Sequence, residues 1–147
     1  VGFGFMSAIG AGALADTTGE PKASFSGAVI YKVPGSTVWK TCSSIGTTQT
    51  VNTSTKTAGG ATYQRLTIKV EPVSATIAEV TYYVDGIQLQ TAGGRPGTSL
   101  IKDQVTFAGS IKMAEFMGLK NGSTTAEVLL VDYTAAEALA RRFGILA

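Results

Sequence analysis

The sequence predicts an all-β fold, an antiparallel two-sheet jelly-roll sandwich with a short C-terminal helix. Three observations predict it. Short segments alternate large apolar residues with polar or small ones, at the two-residue period of a strand. Turn signals (Pro34-Gly35, Gly59-Gly60, Asp85-Gly86 and Asn121-Gly122) punctuate these segments, as they do in sandwiches and jelly rolls. The chain does not alternate strands with helices, which disfavours a parallel α/β sheet. No internal repeat and no shift in composition divides it, so residues 1–147 are expected to form a single β-sandwich domain.

The elements follow in order. Val1 to Met6 has Val1, Phe3 and Phe5 on one face and glycines on the other, where another backbone can approach closely. Ser7 to Lys22 is rich in Gly, Ala and Thr and reads as a long loop. Gly27 to Cys42 reads as a hairpin turning at Pro34-Gly35, in a register that sets Tyr31 beside Trp39. Thr48 to Thr55 reads as a polar strand before Gly59-Gly60, either a solvated outer strand or a hydroxyl-lined binding surface.

Tyr63 to Glu71 carries Leu66, Ile68 and Val70 on one face and Arg65, Thr67, Lys69 and Glu71 on the other, and Pro72 stops it. Val80 to Thr91 is a hairpin around Asp85-Gly86, a pair suited to the two positive φ angles of a type I′ turn. Its register places Val84 opposite Ile87, Tyr82 opposite Leu89 and Val80 opposite Thr91. Leu66, Ile68, Val70, Val80, Tyr82, Val84, Ile87 and Leu89 are therefore expected to share one core.

Ala92 to Lys102 reads as a loop around Arg95-Pro96-Gly97, and Val105 to Leu119 as one or two strands with Ile111 and Met113 inward. Asn121-Gly122 is a second tight turn, and Glu127 to Tyr133 is the last strand. Ala135 to Arg142 is the helical piece. Thr134 and Glu137 form a capping box, and Leu139 with Phe143 makes an i,i+4 stripe.

Composition narrows the function. Charged residues make up 15% of the chain, against about 25% in ordinary globular proteins. So sparsely charged a surface points to burial against partners in an assembly. The net charge is only +2, and cations cluster nowhere except Arg141-Arg142, so no nucleic-acid platform is visible. The lone Cys42 forms no intrachain disulfide and no zinc set, and reads as a small strand residue. The chain has no histidine, hence neither the commonest general base nor the commonest metal ligand. Val1 to Ala15 is apolar but lacks the basic leader of a signal peptide. No apolar run approaches the ~20 residues of a membrane span.

Candidate chemistry is sparse. Glycosidases of sandwich folds need paired carboxylates, and Glu115, Glu127 and Asp132 offer no i,i+2 pair. Asp16, Glu20, Asp85 and Asp103 are scattered and read as loop residues that form turns and aid solubility, not as a calcium cluster. The Gly-x-Gly matches at Gly2 and Gly10 lack the helix that a phosphate cradle requires. Trp39, Tyr82, Tyr83 and Tyr133 could form an aromatic sugar platform, although packing roles suit most of them better. Tyr83 stands out because it lies opposite the Val80, Tyr82, Val84 face. The expectation is a protein with no enzymatic activity and no cofactor.

Several motifs carry a resemblance. Leu66-Thr-Ile68-Lys-Val70 precedes Val80-Thr-Tyr-Tyr83-Val84-Asp85-Gly86, and the last strand closes on Val131-Asp132-Tyr133. Upstream stand Val1-Gly2-Phe3-Gly4-Phe5, Gly27-Ala28-Val29-Ile30-Tyr31 and Trp39. This order resembles the concanavalin A-like or laminin-G-like jelly-roll domain, in the form found in tailed-bacteriophage virion proteins. The resemblance implies another strand or two before Val1. It also implies a virion structural protein, such as a capsid decoration or cement subunit, assembled in the host cytoplasm. The alternative it implies is a carbohydrate-binding adhesin or fibre module. Expected partners are copies of the chain and a major capsid or other virion protein, with glycans under the alternative, and neither nucleic acid nor membrane. Candidate contact residues are Trp39, Tyr83, Arg95, Phe143 and Leu146.

Overall fold

The structure is a computed structural model that describes residues 1–7, 12–15, 18–59, 62–92, 99–106 and 114–118. The expected turn at Asn121-Gly122, the last strand, the helix from Ala135 to Arg142, the Arg95-Pro96-Gly97 loop and the inward Ile111 and Met113 lie outside these residues. Within them the chain forms nine strands and no helix. In chain order these are β1 (Gly2–Met6), β2 (Gly27–Tyr31), β3 (Val38–Ile45), β4 (Thr48–Thr57), β5 (Leu66–Pro72), β6 (Ile77–Val84), β7 (Ile87–Gln88), β8 (Lys102–Thr106) and β9 (Ala114–Gly118).

Two antiparallel sheets result. The first runs β4-β3-β2-β1-β9, and the second sets β5 on one side of β6 with β7 and then β8 on the other. Between the sheets, Ala28, Ile30 and Trp39 meet Val80, Tyr82, Val84, Leu89, Ile101 and Val105, all buried. A second apolar cluster lies on the opposite face of the first sheet. There Met6, Val29, Tyr31 and Cys42 are roofed by Ala13, Leu14 and Phe25. The loop after β1 thus folds back over its own sheet. It is held by the Leu14–Pro21 bridge, by Lys22 N donating to Ala13 O at 2.9 Å and by an ion pair from Glu20 to Lys40. β2 is therefore buried on both faces, which suits its unbroken Gly-Ala-Val-Ile-Tyr run.

The glycine at position 4 does what its place in β1 predicts. A Cβ there would strike the Ala28 carbonyl and lie 2.8 Å from Val29 Cα, so only glycine lets β1 and β2 approach so closely.

Two expected pairings shift. Tyr31 faces Lys40, not Trp39, because Lys32 to Thr37 make a longer connection, with Ser36 N donating to Val33 O at 3.1 Å. One residue of slip turns a side chain to the other face. Trp39 therefore joins the inter-sheet core, and Tyr31 the second cluster. The Asp85-Gly86 hairpin keeps Val84 opposite Ile87, and Leu89 N donates to Tyr82 O at 2.8 Å. Its return strand then leaves β6, so Val80 faces Asp103 of β8 where Thr91 was expected.

The expected common core also loses two members. Ile87 is 62% exposed and Val70 39%, while Leu66 and Ile68 pack half-buried against the core.

Candidate functional site

Two polar arrangements follow from this frame, one buried and one open. The buried one centres on Asp103. Far from being a loop solubiliser, Asp103 sits within β8 between Ile101 and Val105 in inward parity and is only 6% exposed. Strand β8 starts at Lys102, within the stretch expected to be loop. The Tyr82 hydroxyl donates to Asp103 Oδ2 at 2.9 Å, and Asn52 Nδ2 donates to Oδ1 at 3.2 Å. Asn52 lies opposite Thr41, whose hydroxyl is buried without a protein partner. Burial, then the Asp103 charge, pushes the Tyr82 phenol far above its ordinary value, so it stays a donor. Both carboxylate oxygens are engaged by donors and shielded from solvent. The cluster ties β4 of one sheet to β6 and β8 of the other and presents no acid or base to a substrate.

The open arrangement is a groove where the sheets part. β4 reaches the second sheet at its end, through a Ser54–Thr91 bridge and Thr55 N donating to Gln90 O at 2.9 Å. Alongside lies a groove of 380 Å³ lined by Thr55, Lys56 and Thr57, by Gln64, and by Ile87, Gln88 and Gln90. Gln64 is a fixed wall. Its Oε1 accepts from Trp39 Nε1 at 3.0 Å and from Gly59 N, and its Nε2 donates to Thr57 O at 3.2 Å and Asp85 Oδ2 at 3.4 Å. Lys56 pairs with Asp85 at 3.4 Å. The Arg65 backbone N–H, followed by Lys56 and Gln64, holds the Asp85 carboxyl below its usual range.

Of the expected contact residues, Trp39 and Tyr83 are among those described. Trp39 is buried, with its indole N–H committed to Gln64. Tyr83 is half-buried on the outer face of β6, and its hydroxyl accepts from Thr81 Oγ1 at 3.4 Å. Tyr82 is wholly buried, so it offers no platform. Arg95, Tyr133, Phe143 and Leu146 lie outside the described residues. Tyr63, one residue before Gln64 and expected only at a strand start, is 72% exposed. The available signal for the groove was the pairing of a Thr-rich strand with the glutamines at 64, 88 and 90.

Cys42 is buried beneath the loop, and burial, with the charges of Asp103 and Glu20, pushes its thiol up to about 12. Among the described residues no three His, Cys, Asp or Glu side chains gather to hold a metal ion, and no helix is long and apolar enough to cross a membrane. Comparison with protein-family models, curated proteins and solved structures found no match.

Proposed function

We propose that the chain is a non-enzymatic structural subunit of a tailed-bacteriophage virion, a capsid decoration or cement protein built on a concanavalin A-like jelly roll. The observation that carries this reading is the distribution of exposed aliphatic side chains. β4 and β9 end the first sheet and β5 ends the second, among the described residues, and each bears one: Val51 at 50%, Met117 at 38% and Val70 at 39% exposure. Edge strands with apolar side chains in water invite pairing and are normally covered or charged. In a shell protein such edges serve as lateral contacts. The low charged fraction, 15%, supports the same reading.

The test is to raise an antibody against the purified chain and measure its copy number on intact particles from the source culture by quantitative mass spectrometry. A fixed stoichiometry with the major shell protein is expected. Detection only in the particle-free supernatant would refute the proposal.

A further inference from the structure

We infer that β5 pairs antiparallel with the β5 of a second copy across a twofold axis, joining the two second sheets into one. This names the partner of one edge proposed above as a lateral contact; it rests on that reading for the edge and not for the particle.

The outer side of β5 is open along its main chain. Asp85 N donates to Arg65 O and Val73 N to Ile77 O, both at 2.8 Å, and between them Thr67, Lys69 and Glu71 face Tyr83, Thr81 and Glu79. Hydrogen-bonded and non-bonded pairs alternate in an antiparallel ladder, so the odd-numbered residues turn their main-chain groups toward β6. Leu66, Ile68 and Val70 turn theirs away, and among the described residues no hydrogen bond engages them on that side. Edges are ordinarily guarded by a bulge, a proline or an inward-pointing charge. Over residues 66–70 the register with β6 is unbroken, and Pro72 lies beyond them.

The strand fits its own reverse. With Ile68 opposite Ile68 of the other copy, Leu66 meets Val70 on the face that packs against the core, which covers the 39% of Val70 left exposed. On the outer face Thr67 meets Lys69, and Arg65 meets Glu71, a cross-strand pair of opposite charge that the twofold axis makes twice. Arg65 is exposed and enters no ion pair among the described residues. Leu66, Ile68 and Val70 then exchange roughly six main-chain bonds between the copies. Centring the pairing on Val70 would set Pro72 opposite Ile68 and leave the Ile68 carbonyl without a donor.

The experiment is sedimentation velocity of the full chain over a concentration series, with hydrogen exchange read at each β5 amide. We expect a monomer–dimer equilibrium in which the N–H groups of Leu66, Ile68 and Val70 exchange at least tenfold more slowly as the dimer fills. Arg65→Glu or Glu71→Arg alone sets like charges opposite each other and should weaken the dimer at least tenfold; the two together should restore it. Both side chains are exposed, so the melting temperature should change little. A chain that stays monomeric at every concentration would overturn the inference. So would a dimer whose amides at 66, 68 and 70 exchange as in the monomer, or a double exchange that fails to recover pairing. Copy number on particles is read separately: a β5-paired dimer absent from particles would refute the shell-subunit reading and leave the pairing intact.

Discussion

Asp103 shows how a single side chain can join two sheets. Because it accepts from both Tyr82 and Asn52, Asp103→Ala strands the buried Tyr82 hydroxyl and the half-buried Asn52 amide. The loss should be about 2–5 kcal/mol, read as a lower urea midpoint with the slope unchanged. Tyr82→Phe removes one donor and should lose less; an equal loss would show that the carboxylate is not the hub. The position was legible only by parity: Ile101, Asp103 and Val105 alternate, but an aspartate between two apolar residues reads as a loop unless its buried donors are known.

Cys42 was legible as a strand residue, though its complete burial depends on the loop roof above it. The thiol ionises near 9.0 when unfolded and near 12 in the fold. Between those values the native state holds the proton and the unfolded chain does not. Stability should therefore be full below pH 9 and fall above it, by about 1.4 kcal/mol per pH unit for each such group. Tyr31 and Tyr82, raised chiefly by burial, add to the fall above pH 10. Chemical melts from pH 8 to 11 check this, and a Cys42→Ala variant should lose part of the slope.

Among the elements, the β6–β7 hairpin was the most legible because its turn chemistry is local. Asp85 at φ 55° and Gly86 at φ 78° adopt the left-handed pair that an Asp-Gly turn requires. Asp85 tolerates the strain partly because its carboxylate accepts from Arg65 N at 3.0 Å. Gly86→Val places a β-branched residue at positive φ and should cost about 1–3 kcal/mol. Gly86→Asn should cost much less, and equal midpoints for the two would contradict a left-handed turn. The β2–β3 connection was misread for the opposite reason. Pro34-Gly35 marks a turn without setting how many residues flank it, and only the pairing of Tyr31 with Lys40 settles which cluster each aromatic enters. The departure of β7 from β6 was likewise invisible locally, because it depends on β8 taking its place beside Val80. The groove that opens there was legible as a hydroxyl-rich strand, but its second wall comes from residues some 30 positions away in the chain.

At the scale of the molecule, the two faces of the first sheet are both occupied, one by the second sheet and one by the chain's own loop. Among the described residues the first sheet then has its edges left for association, and the second sheet adds the edge of β5. β5 is the most exposed of these: Thr67 and Lys69 to Pro72 are all exposed, and Val73 just beyond is 58% exposed. It is partly guarded by the Lys69–Glu71 pair at 2.9 Å, and Pro72 limits how far a ladder can run. Exposed pairs of this kind contribute little to stability, about 0–1 kcal/mol, so their removal should not unfold the protein. Val70→Lys should turn this edge from a weak contact into a repelling one. Sedimentation velocity of the parent chain should show association that grows with concentration, and Val70→Lys should shift it toward monomer with an unchanged melting temperature. A parent chain that stays monomeric at every concentration, and that fails to decorate particles stripped of it, would remove the basis for an edge-mediated shell subunit.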